Sequence, residues 1–423
     1  MATDDDRRAL AEWAASGAMA ITGRADGPPL GPPDRLVPGL RHLGDVVAAR
    51  SAWLGREVRL DPVAVLGERA AVGGLRRLGR TSCGGTTRLV RAADGWLAVA
   101  LPRPEDRELL PAWLGIDVSD DPWATVAAEV ARQPAREAAE RAWLLGLPVS
   151  DLADEPIAPP PAAPPLAPLP VRATPIPGPI PDPRPLAQMT AIDLTSLWAG
   201  PLCGHLLGIA GARVVKVEST ARPDGSRHGP TDFFDLVNGG KKGVALDLAG
   251  DQGWDVLRRL LARADVVIEG SRPRVLEQHG IVAADLVAAG GPRVWVSITG
   301  HGRTEPGRDR VAFGDDAAVA GGLVVADETG PCFCADAVAD PVAGLAAAAA
   351  CLDALAVAGR WLLDVPMAGV AASLAGPTLV PEAGTGPNDA LDVAPPRGRP
   401  VTSPGPLLGE HTGEVLNGLG VMT

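Results

Sequence analysis

The stretch from Met189 to Glu218, MTAIDLTSLWAGPLCGHLLGIAGARVVKVE, constrains the fold of this 423-residue chain more than any other. Residues 191–194 form a short apolar run with a β-branched residue, which is typical of a buried strand. Ala199-Gly200-Pro201 then breaks the strand and places a proline near a helix start, where its missing N–H is not needed. Leucines follow at helical spacing, and residues 214–217 form a second apolar run. The stretch predicts a strand–helix–strand unit whose short first turn presents backbone N–H groups where a phosphate can bind.

The alternation of helix and strand patterns continues after this unit. Residues 253–264 carry apolar side chains at helical spacing, and residues 264–269 and 293–299 are apolar runs typical of buried parallel strands. Strands that alternate with helices form parallel sheets with right-handed crossovers. We therefore expect an α/β fold with a doubly wound parallel sheet. The dinucleotide fingerprint Gly-x-Gly-x-x-Gly is absent from the first turn, so an ordinary α/β unit without a nucleotide is equally open at this point.

Charge and cysteine content exclude several classes of protein. The formal net charge of −12 disfavours nucleic acid and anionic membranes as partners, since both are negatively charged. The five cysteines are an odd number without a paired framework, which suits a reducing cytosol, and the acidic start MATDDDRRAL lacks an apolar signal core. Cys332 and Cys334 have no second Cys/His pair nearby, so no metal site is expected. The apolar residues 338–358 include two aspartates and predict a packed internal helix, not a membrane span.

Three separated motifs carry a family resemblance. They are DLTSLWAGPLCGHLLGIAGARVVKVE, then NGGKKGVALDL at residues 238–248, then ADVVIEGSRPRVLEQHGI at residues 264–281. In this order and spacing they resemble the class III CoA-transferase family, which includes formyl-CoA and carnitine CoA-transferases and the α-methylacyl-CoA racemases. The resemblance covers most of residues 188–376. It implies a Rossmann-like large domain, an acyl-CoA and a carboxylic acid as substrates, no cofactor other than the CoA thioester that is itself a substrate, and an interlocked homodimer.

The resemblance also divides the chain. Residues 79–155 are similar to the small α+β domain of the family, which normally follows the large-domain core but here lies N-terminal to it. Residues 156–187 are a proline-rich linker. Its composition fits equally well a loose spacer and a strap that lies over the surface. Residues 188–376 correspond to the CoA-binding large domain, and residues 377–423 to a tail with a closing helix. Within the small domain the patterns predict a hairpin, with strands at residues 88–90 and 96–101. They also predict three helices, at residues 107–114, 123–132 and 135–145.

The first 78 residues resemble a decayed partial copy of a large-domain segment. Residues 13–72 are similar to residues 318–376, and both stretches contain an apolar run, at residues 58–66 and 362–370, that predicts a strand entering a helix. A shared Ala/Gly/Val composition is the alternative explanation. The whole chain is thus similar to a class III CoA-transferase with rearranged domain order.

Asp340 is the candidate catalytic residue. In the sequence ADPVAGL at residues 339–345 it matches the family's catalytic aspartate, which precedes a helix of small residues. In the transferases of the family this carboxylate attacks the acyl-CoA thioester, and an enzyme–CoA thioester follows. A position at a helix N-terminus is expected to keep the carboxylate ionised, because the helix dipole and the free N–H groups favour a negative charge. The alternative is an aspartate that only caps the helix.

Candidate CoA-binding residues follow from the family motifs. Ser219 stands where the family commonly has an arginine, and a glycine loop of the small domain is expected near the active site at residues 82–86. The residues that match CoA-contacting positions are Leu197, Trp198, Ala199, Lys241, Gln278 and His279, of which Lys241 would bind a CoA phosphate.

Two other functions stay open in the sequence. The racemases of the family have a His-Asp pair where this chain has Phe313-Gly314-Asp315-Asp316 with no adjacent histidine, so Asp315, shifted by one residue, would have to act as the base for an α-methylacyl-CoA racemase. His205, His228 and His301 are expected to be structural. The second alternative is a non-catalytic relic that binds CoA or a protein partner. Two features favour it: the rearranged domain order, and Ser219 in place of the family's arginine.

Overall fold

The computed structural model describes residues 3–117, 119–152, 166–182, 184–380 and 391–421. Its helices are α1 (Asp4–Ser16), α2 (Leu36–Trp53), α3 (Glu68–Gly73), α4 (Pro104–Glu108), α5 (Leu110–Leu114), α6 (Pro122–Val130), α7 (Ala135–Leu144), α8 (Ala199–Ile209), α9 (Thr231–Asn238), α10 (Asp251–Ala262), α11 (Pro273–Glu277), α12 (Ala283–Ala288), α13 (Gly314–Ala320), α14 (Ala339–Ala356), α15 (Met367–Leu374) and α16 (Thr412–Gly418). Its strands are β1 (Thr87–Arg91), β2 (Trp96–Ala100), β3 (Val149–Asp151), β4 (Arg172–Pro175), β5 (Thr190–Asp193), β6 (Arg213–Ser219), β7 (Lys242–Leu246), β8 (Val266–Glu269), β9 (Val294–Thr299), β10 (Val324–Asp327), β11 (Gly330–Phe333) and β12 (Trp361–Pro366).

The central sheet has the strand order β4-β12-β9-β8-β5-β6-β7 in the described part of the chain. Its strands pair in parallel except at one edge, where β4 runs antiparallel to β12. The first strand of the unit, β5, lies between β6 and β8, so the chain builds the sheet outwards in both directions from it. In such a sheet a crevice opens at the carboxyl ends of the strands where the order reverses. The reversal between β5 and β8 is therefore where a ligand site is expected.

Successive residues of each strand enter different cores. Ala191 packs with α8 and α14 on one face of the sheet, while Ile192 packs with α10 and α12 on the other. This alternation follows from the two-residue period of a strand, and it requires helices on both faces. The predicted doubly wound α/β fold is confirmed.

Helix α14 is the centre of the larger core. By length and mean composition its 18 residues could span a membrane, although they include Asp340 and Asp353, but 89% of the segment is buried inside the structure. It packs against α8 on one side and α2 on the other. Small residues allow this close approach, because a Cβ at Gly344 would lie 2.6 Å from the carbonyl oxygen of Ala199 in α8.

The N-terminal segment joins the same core. Trp13, Leu36 and Leu40 are buried in the same hydrophobic core as residues of α8 and α14. Helices α2 and α14 have equal length and correspond in the suggested repeat. The strand predicted to open residues 58–66 is wrong, since these residues contain no strand. There the side chain of Asp61 accepts the N–H groups of Val63 and Ala64, both at 3.1 Å, and turns the chain into a 3-10 helix.

Residues 87–151 form a second, smaller layer. Strands β1, β2 and β3 make an antiparallel sheet that packs on helices α4 to α7. The predicted hairpin is confirmed, whereas the helix predicted at residues 107–114 is split into α4 and α5. Pro111 explains the break, because it lacks an N–H and its ring clashes with the carbonyl of Arg107 in a continuous helix.

The proline-rich linker is only partly within the described residues. Residues 156–165 lie outside them. From residue 166 onwards Leu169 and Val171 are buried, and β4 completes the edge of the central sheet. For this part the strap, not the loose spacer, matches the structure.

Candidate active site

A cavity of about 440 Å³ opens at the carboxyl ends of β5, β8 and β9. This is the position where the strand order reverses, and its volume is in the range of small-molecule sites. The N-terminus of α8 faces it through Ala199 and Gly200. Other side chains along the cavity include Leu197, Arg103, Arg222, Arg272, Arg308, Arg310, Phe313, Asp340 and Met367.

The turn between β5 and α8 is held by two buried ion pairs. Lys241 Nζ lies 2.8 Å from Asp193 Oδ2, and Lys216 Nζ lies 2.7 Å from Asp224 Oδ2. Asp224 Oδ1 accepts the N–H of Leu197 at 3.0 Å, which fixes a residue whose φ is +70°. A left-handed non-glycine residue costs about 1–3 kcal/mol, so these contacts are needed to keep the turn in place.

Electrostatics keep this network charged. Burial alone would raise the pKa of Asp193, but the ammonium groups of Lys241 and Lys216 outweigh it and lower that pKa. The pKa of Asp224 is likewise lowered, with Lys216 and two backbone N–H groups overcoming the cost of burial. The aspartates therefore stay ionised and continue to hold the turn.

A third buried carboxylate anchors the loop on the opposite side of the cavity. Glu269, at the end of β8, accepts hydrogen bonds from Trp295 Nε1 at 3.0 Å and Ser297 Oγ at 2.7 Å, and it pairs with Arg303. Arg303 belongs to the loop that carries Arg308 and Arg310 to the cavity. The sheet thus positions the arginines that follow it in sequence.

The cavity is cationic although the protein is acidic. Burial lowers the pKa of Arg272, and the nearby Arg274, Arg103 and Arg222 lower it further. Such mutual repulsion among arginines is relieved when an anion binds between them. The cavity is therefore suited to a ligand with several negative charges, such as phosphates.

Arg310 brings a buried donor to this cavity. Its guanidinium carbon lies 3.5 Å from the ring centroid of Trp143, a residue of α7 in the smaller layer. Its Nε is buried with no hydrogen-bond partner in the described residues, and burial lowers the pKa of Arg310 to about 10. An unsatisfied buried donor beside a cavity favours an anionic ligand at that point.

Asp340 lies between two helix N-termini. It is the second residue of α14, and its carboxylate accepts a backbone hydrogen bond from Gly314, the first residue of α13. A Cβ at Gly314 would lie only 2.5 Å from Asp340 Oδ2, so glycine is required for this approach. Asp340 is half-buried and lines the cavity, which makes its carboxylate accessible to a bound ligand.

The protonation state of Asp340 differs from the expectation. Burial raises its pKa to about 7; Arg69 opposes this shift, and the carboxylates of Asp315 and Asp336 reinforce it. Burial and the two like charges therefore act against the expectation that a helix N-terminus keeps this group ionised, because they favour its protonated form. The dipole contribution of up to about 1 kcal/mol is smaller than the cost of burying a charge beside two like charges.

Of the predicted CoA-binding residues, Leu197 and Ala199 line the cavity. Trp198 does not: it is 1% exposed and packs edge-to-face on Phe233 in the core, with ring centroids 5.4 Å apart. The prediction for Lys241 is contradicted by its contacts. Its ammonium donates to Asp193 Oδ2, to the carbonyl of Pro201 and to the side chain of Asn238, so all three donors are used inside the protein.

Gln278 and His279 are also placed elsewhere. Neither is among the described residues along the cavity. His279 stacks on Trp254 of α10, with ring centroids 3.7 Å apart, and Gln278 is exposed just beyond α11. The cavity instead receives Arg272 from the same motif, six residues earlier.

Among the histidines expected to be structural, His205 and His301 are half-buried and His228 is exposed, whereas Asp315 is buried. Burial lowers the pKa of both His205 and His301 to about 3, so neither imidazole carries a charge at neutral pH. Asp315 accepts hydrogen bonds from Thr87 Oγ1 and from the N–H of Ala337, both at 3.1 Å. It thus supports the turn before α14. The glycine loop that begins at Ser82 lies against the same turn, since Cys83 Sγ is 3.5 Å from the carbonyl oxygen of Ala335.

The sequence interpretation missed the arginines of the cavity and Arg69. Arg272 was within a recognised motif, and Arg308 and Arg310 lie close together in one loop, so their clustering was a usable signal. Arg103 and Arg69 come from parts of the chain far from Asp340 in sequence. Their place beside the site depends on tertiary packing, which the pattern of residues did not reveal.

Comparison with known proteins gives a consistent result. Residues 186–396 match the model of CoA-transferase family III. Succinyl-CoA--D-citramalate CoA-transferase from Chloroflexus aurantiacus is 33% identical over 148 residues, which are 33% of this chain and 37% of that protein. (R)-2-hydroxy-4-methylpentanoate CoA-transferase from Clostridioides difficile is 32% identical over 185 residues, which are 40% of this chain and 46% of that protein. The crystal structure of a CAIB/BAIF family protein from Brucella suis is 28% identical and has a TM-score of 0.41, covering 45% of this chain and 55% of that chain.

Through residues 186–396, this chain belongs to the class III CoA-transferase family. It spans less than half the length of either curated relative, 37% of one and 46% of the other.

Proposed function

We propose that this protein transfers CoA from an acyl-CoA to a carboxylic acid, with Asp340 as the nucleophile. The observation that carries the proposal is the half-buried carboxylate of Asp340 at an arginine-lined cavity, at the carboxyl ends of the parallel strands. The family match and the relatives, which are CoA-transferases by name, support the same reaction class.

The proposed reaction needs only the carboxylate and the two substrates. A carboxylate oxygen of Asp340 attacks the thioester carbonyl, the C–S bond breaks, and a mixed anhydride and CoA thiolate result. The thiolate then attacks the aspartyl carbonyl and releases the donor acid, leaving an aspartyl-CoA thioester. The acceptor carboxylate attacks this thioester and forms a second anhydride, which CoA thiolate cleaves at the acceptor carbonyl to give the new acyl-CoA and free Asp340.

The surroundings of Asp340 suit this sequence of steps. The N–H of Gly314, at the start of α13, lies beside the carboxylate of Asp340 and can stabilise the oxyanion of each tetrahedral intermediate. We assign the phosphates of CoA to Arg222 and Arg272, because these arginines repel each other in the absence of an anion. We assign the acceptor carboxylate to the end of the cavity near Arg310, whose Nε has no partner in the described residues.

Names of relatives suggest which substrates to test first. Succinyl-CoA is the donor in the name of the Chloroflexus aurantiacus protein, and succinyl-CoA:glutarate CoA-transferase from Mus musculus is 32% identical over 148 residues. We therefore propose succinyl-CoA as the first donor and small carboxylic acids as acceptors. A cytosolic homodimer, expected from the cysteine content and the family, is part of the same proposal.

Hydroxylamine trapping tests the mechanism directly. The protein is incubated with succinyl-CoA, treated with hydroxylamine and digested, and the peptide that contains Asp340 is examined by mass spectrometry. We expect an aspartyl hydroxamate at Asp340, and its loss together with CoA transfer in Asp340→Asn. Asp251→Asn, which changes an exposed aspartate in the first turn of α10, is the control and should behave as wild type. Transfer at the wild-type rate by Asp340→Asn would refute the proposal, and α-hydrogen exchange with solvent in place of transfer would indicate the racemase reaction.

A further inference from the structure

The turn that leads into α14 has an unusual backbone. Ala335 and Ala337 both adopt left-handed conformations, with φ of +53° and +43°. Each costs about 1–3 kcal/mol for a residue other than glycine. Because the N–H of Asp340 donates to the carbonyl of Ala337 at 2.9 Å, the conformation of this turn decides where the nucleophile lies.

Contacts from the N-terminal segment hold this turn. Arg69 of α3 donates two hydrogen bonds to Asp336, from Nε to Oδ2 at 2.7 Å and from Nη2 to Oδ1 at 2.6 Å. Thr22 Oγ1 accepts the N–H of Ala335 at 2.9 Å. Asp336 is fully buried, so a paired geometry of this kind fixes its side chain firmly. Arg69 and Thr22 both lie outside residues 186–396, the part that matches the family.

Arg69 is also the cation shared by the carboxylates beneath the cavity. Asp336, Asp315 and Asp340 all raise the pKa of Arg69, in spite of its burial. In return, its guanidinium opposes the protonation of Asp340. The charged groups around Asp340 thus come from three places: Arg69 from α3, Asp315 from α13, and Asp336 from the turn itself.

We propose that Arg69 is a positioning residue for Asp340, which binds Asp336 in a two-point contact and thereby holds the left-handed turn at the start of the nucleophile's helix. This rests on the proposed role of Asp340 and deepens it. It assigns a function to the segment ahead of the family match: that segment supplies the group that both orients and charges the nucleophile.

Two substitutions at position 69 separate charge from geometry. Arg69→Gln removes both, whereas Arg69→Lys keeps the positive charge but replaces the planar pair of donors with a single ammonium. The matched control is Arg399→Gln, because Arg399 makes the same kind of two-point contact with the neighbouring buried residue Glu68 of α3. Folding of each variant is checked by thermal unfolding.

The first readout does not depend on turnover. A water-soluble carbodiimide with glycine ethyl ester labels protonated carboxyl groups, and labelling of Asp340 is followed by mass spectrometry as a function of pH. We expect the midpoint for Asp340 to rise by about one pH unit in Arg69→Gln, the lower end of the effect of a nearby opposite charge. It should stay within about half a unit of wild type in Arg69→Lys and in Arg399→Gln.

The second readout is CoA transfer. We expect Arg69→Lys to lower kcat about fivefold or more with KM little changed. The reason is that a single ammonium cannot make the two-point contact with Asp336 that holds the turn. An unchanged midpoint in Arg69→Gln, an equal shift in Arg399→Gln, or a wild-type kcat in Arg69→Lys would each overturn the inference. If Arg69→Gln does not fold, Arg69→Lys decides. If Asp340→Asn still transfers CoA, the proposed function fails, while the labelling midpoints still test the contact of Arg69 on their own.

Discussion

The raised pKa of Asp340 predicts a specific pH dependence of CoA transfer. If this carboxylate is the nucleophile, kcat/KM follows its ionised fraction in the free enzyme. With a pKa of about 7, that fraction is about one tenth at pH 6 and about nine tenths at pH 8. We therefore expect kcat/KM to rise about tenfold between these two pH values.

Asp315→Asn shifts this profile in a direction that the structure fixes. The variant removes a like charge close to Asp340, so the pKa of Asp340 falls and the rise in kcat/KM moves to lower pH, by about one unit. Asparagine fits the site, because its amide oxygen can accept the N–H of Ala337 and its amide nitrogen can donate to Thr87 Oγ1. A change in the profile can then be attributed to charge and not to a lost hydrogen bond.

The assay compares the two proteins with identical substrates. Initial rates are measured from about pH 5.5 to 8.5 at constant ionic strength, with an acceptor acid that is fully ionised in this range. The phosphates of CoA titrate equally in the assays of wild type and of Asp315→Asn. The difference between the two pH profiles therefore reports the titration of groups in the enzyme alone. A flat wild-type profile, or a profile of Asp315→Asn that coincides with wild type, would contradict the role of Asp340 as a carboxylate with a raised pKa.

Two further variants test the packing around the nucleophile. Gly314→Ala places a Cβ within 2.5 Å of both the carbonyl oxygen of Ala337 and Asp340 Oδ2, and it should lower kcat about a hundredfold by displacing both the turn and the carboxylate. Gly413→Ala, whose Cβ meets no atom within 4 Å in the described structure, should leave kcat unchanged. Asp316→Asn should weaken the pH dependence of stability. Burial raises the pKa of Asp316 to about 8, so its contribution to the free energy of unfolding falls by about 2 kcal/mol between pH 6 and pH 8. Urea denaturation should therefore show a fall that is about 2 kcal/mol smaller in the variant than in wild type, and the remaining fall comes from other buried carboxyl groups such as Asp340. Equal urea profiles at both pH values in wild type would contradict this.

The sheet could be predicted from the sequence because its determinants are local. The strand at residues 190–193, the turn after it and the helix that begins at Ala199 each follow from a short run of residues and one proline. Parallel strands also impose a right-handed path, which leaves few arrangements for the alternating elements. The place of the cavity follows from the order of the strands alone.

The ligand residues were harder to predict because the same residue type serves two purposes. Lys241 occupies a motif position that suggests a phosphate ligand, yet its ammonium neutralises Asp193 in the interior. His279 has a partner in Trp254 that lies on another helix. No feature of the sequence alone distinguishes a lysine that faces a ligand from one that pairs with a buried carboxylate, since the difference lies in contacts between distant segments.

The contacts of the site also bear on how the segments of this chain depend on each other. Residues 186–396 contain Asp340 and most of the cavity, but Trp143, Arg103 and Arg69 reach the site from earlier parts of the chain. Helices α2 and α14 bury their apolar faces against each other, so removing either would expose both. For the stability of the fold, the order of these segments along the chain matters less than their packing into this shared core, because all these contacts are non-covalent. The part that matches the family is therefore in contact with the segment ahead of it at the turn before Asp340, through Arg69 and Thr22, and we propose that these contacts set the position and charge of that carboxylate.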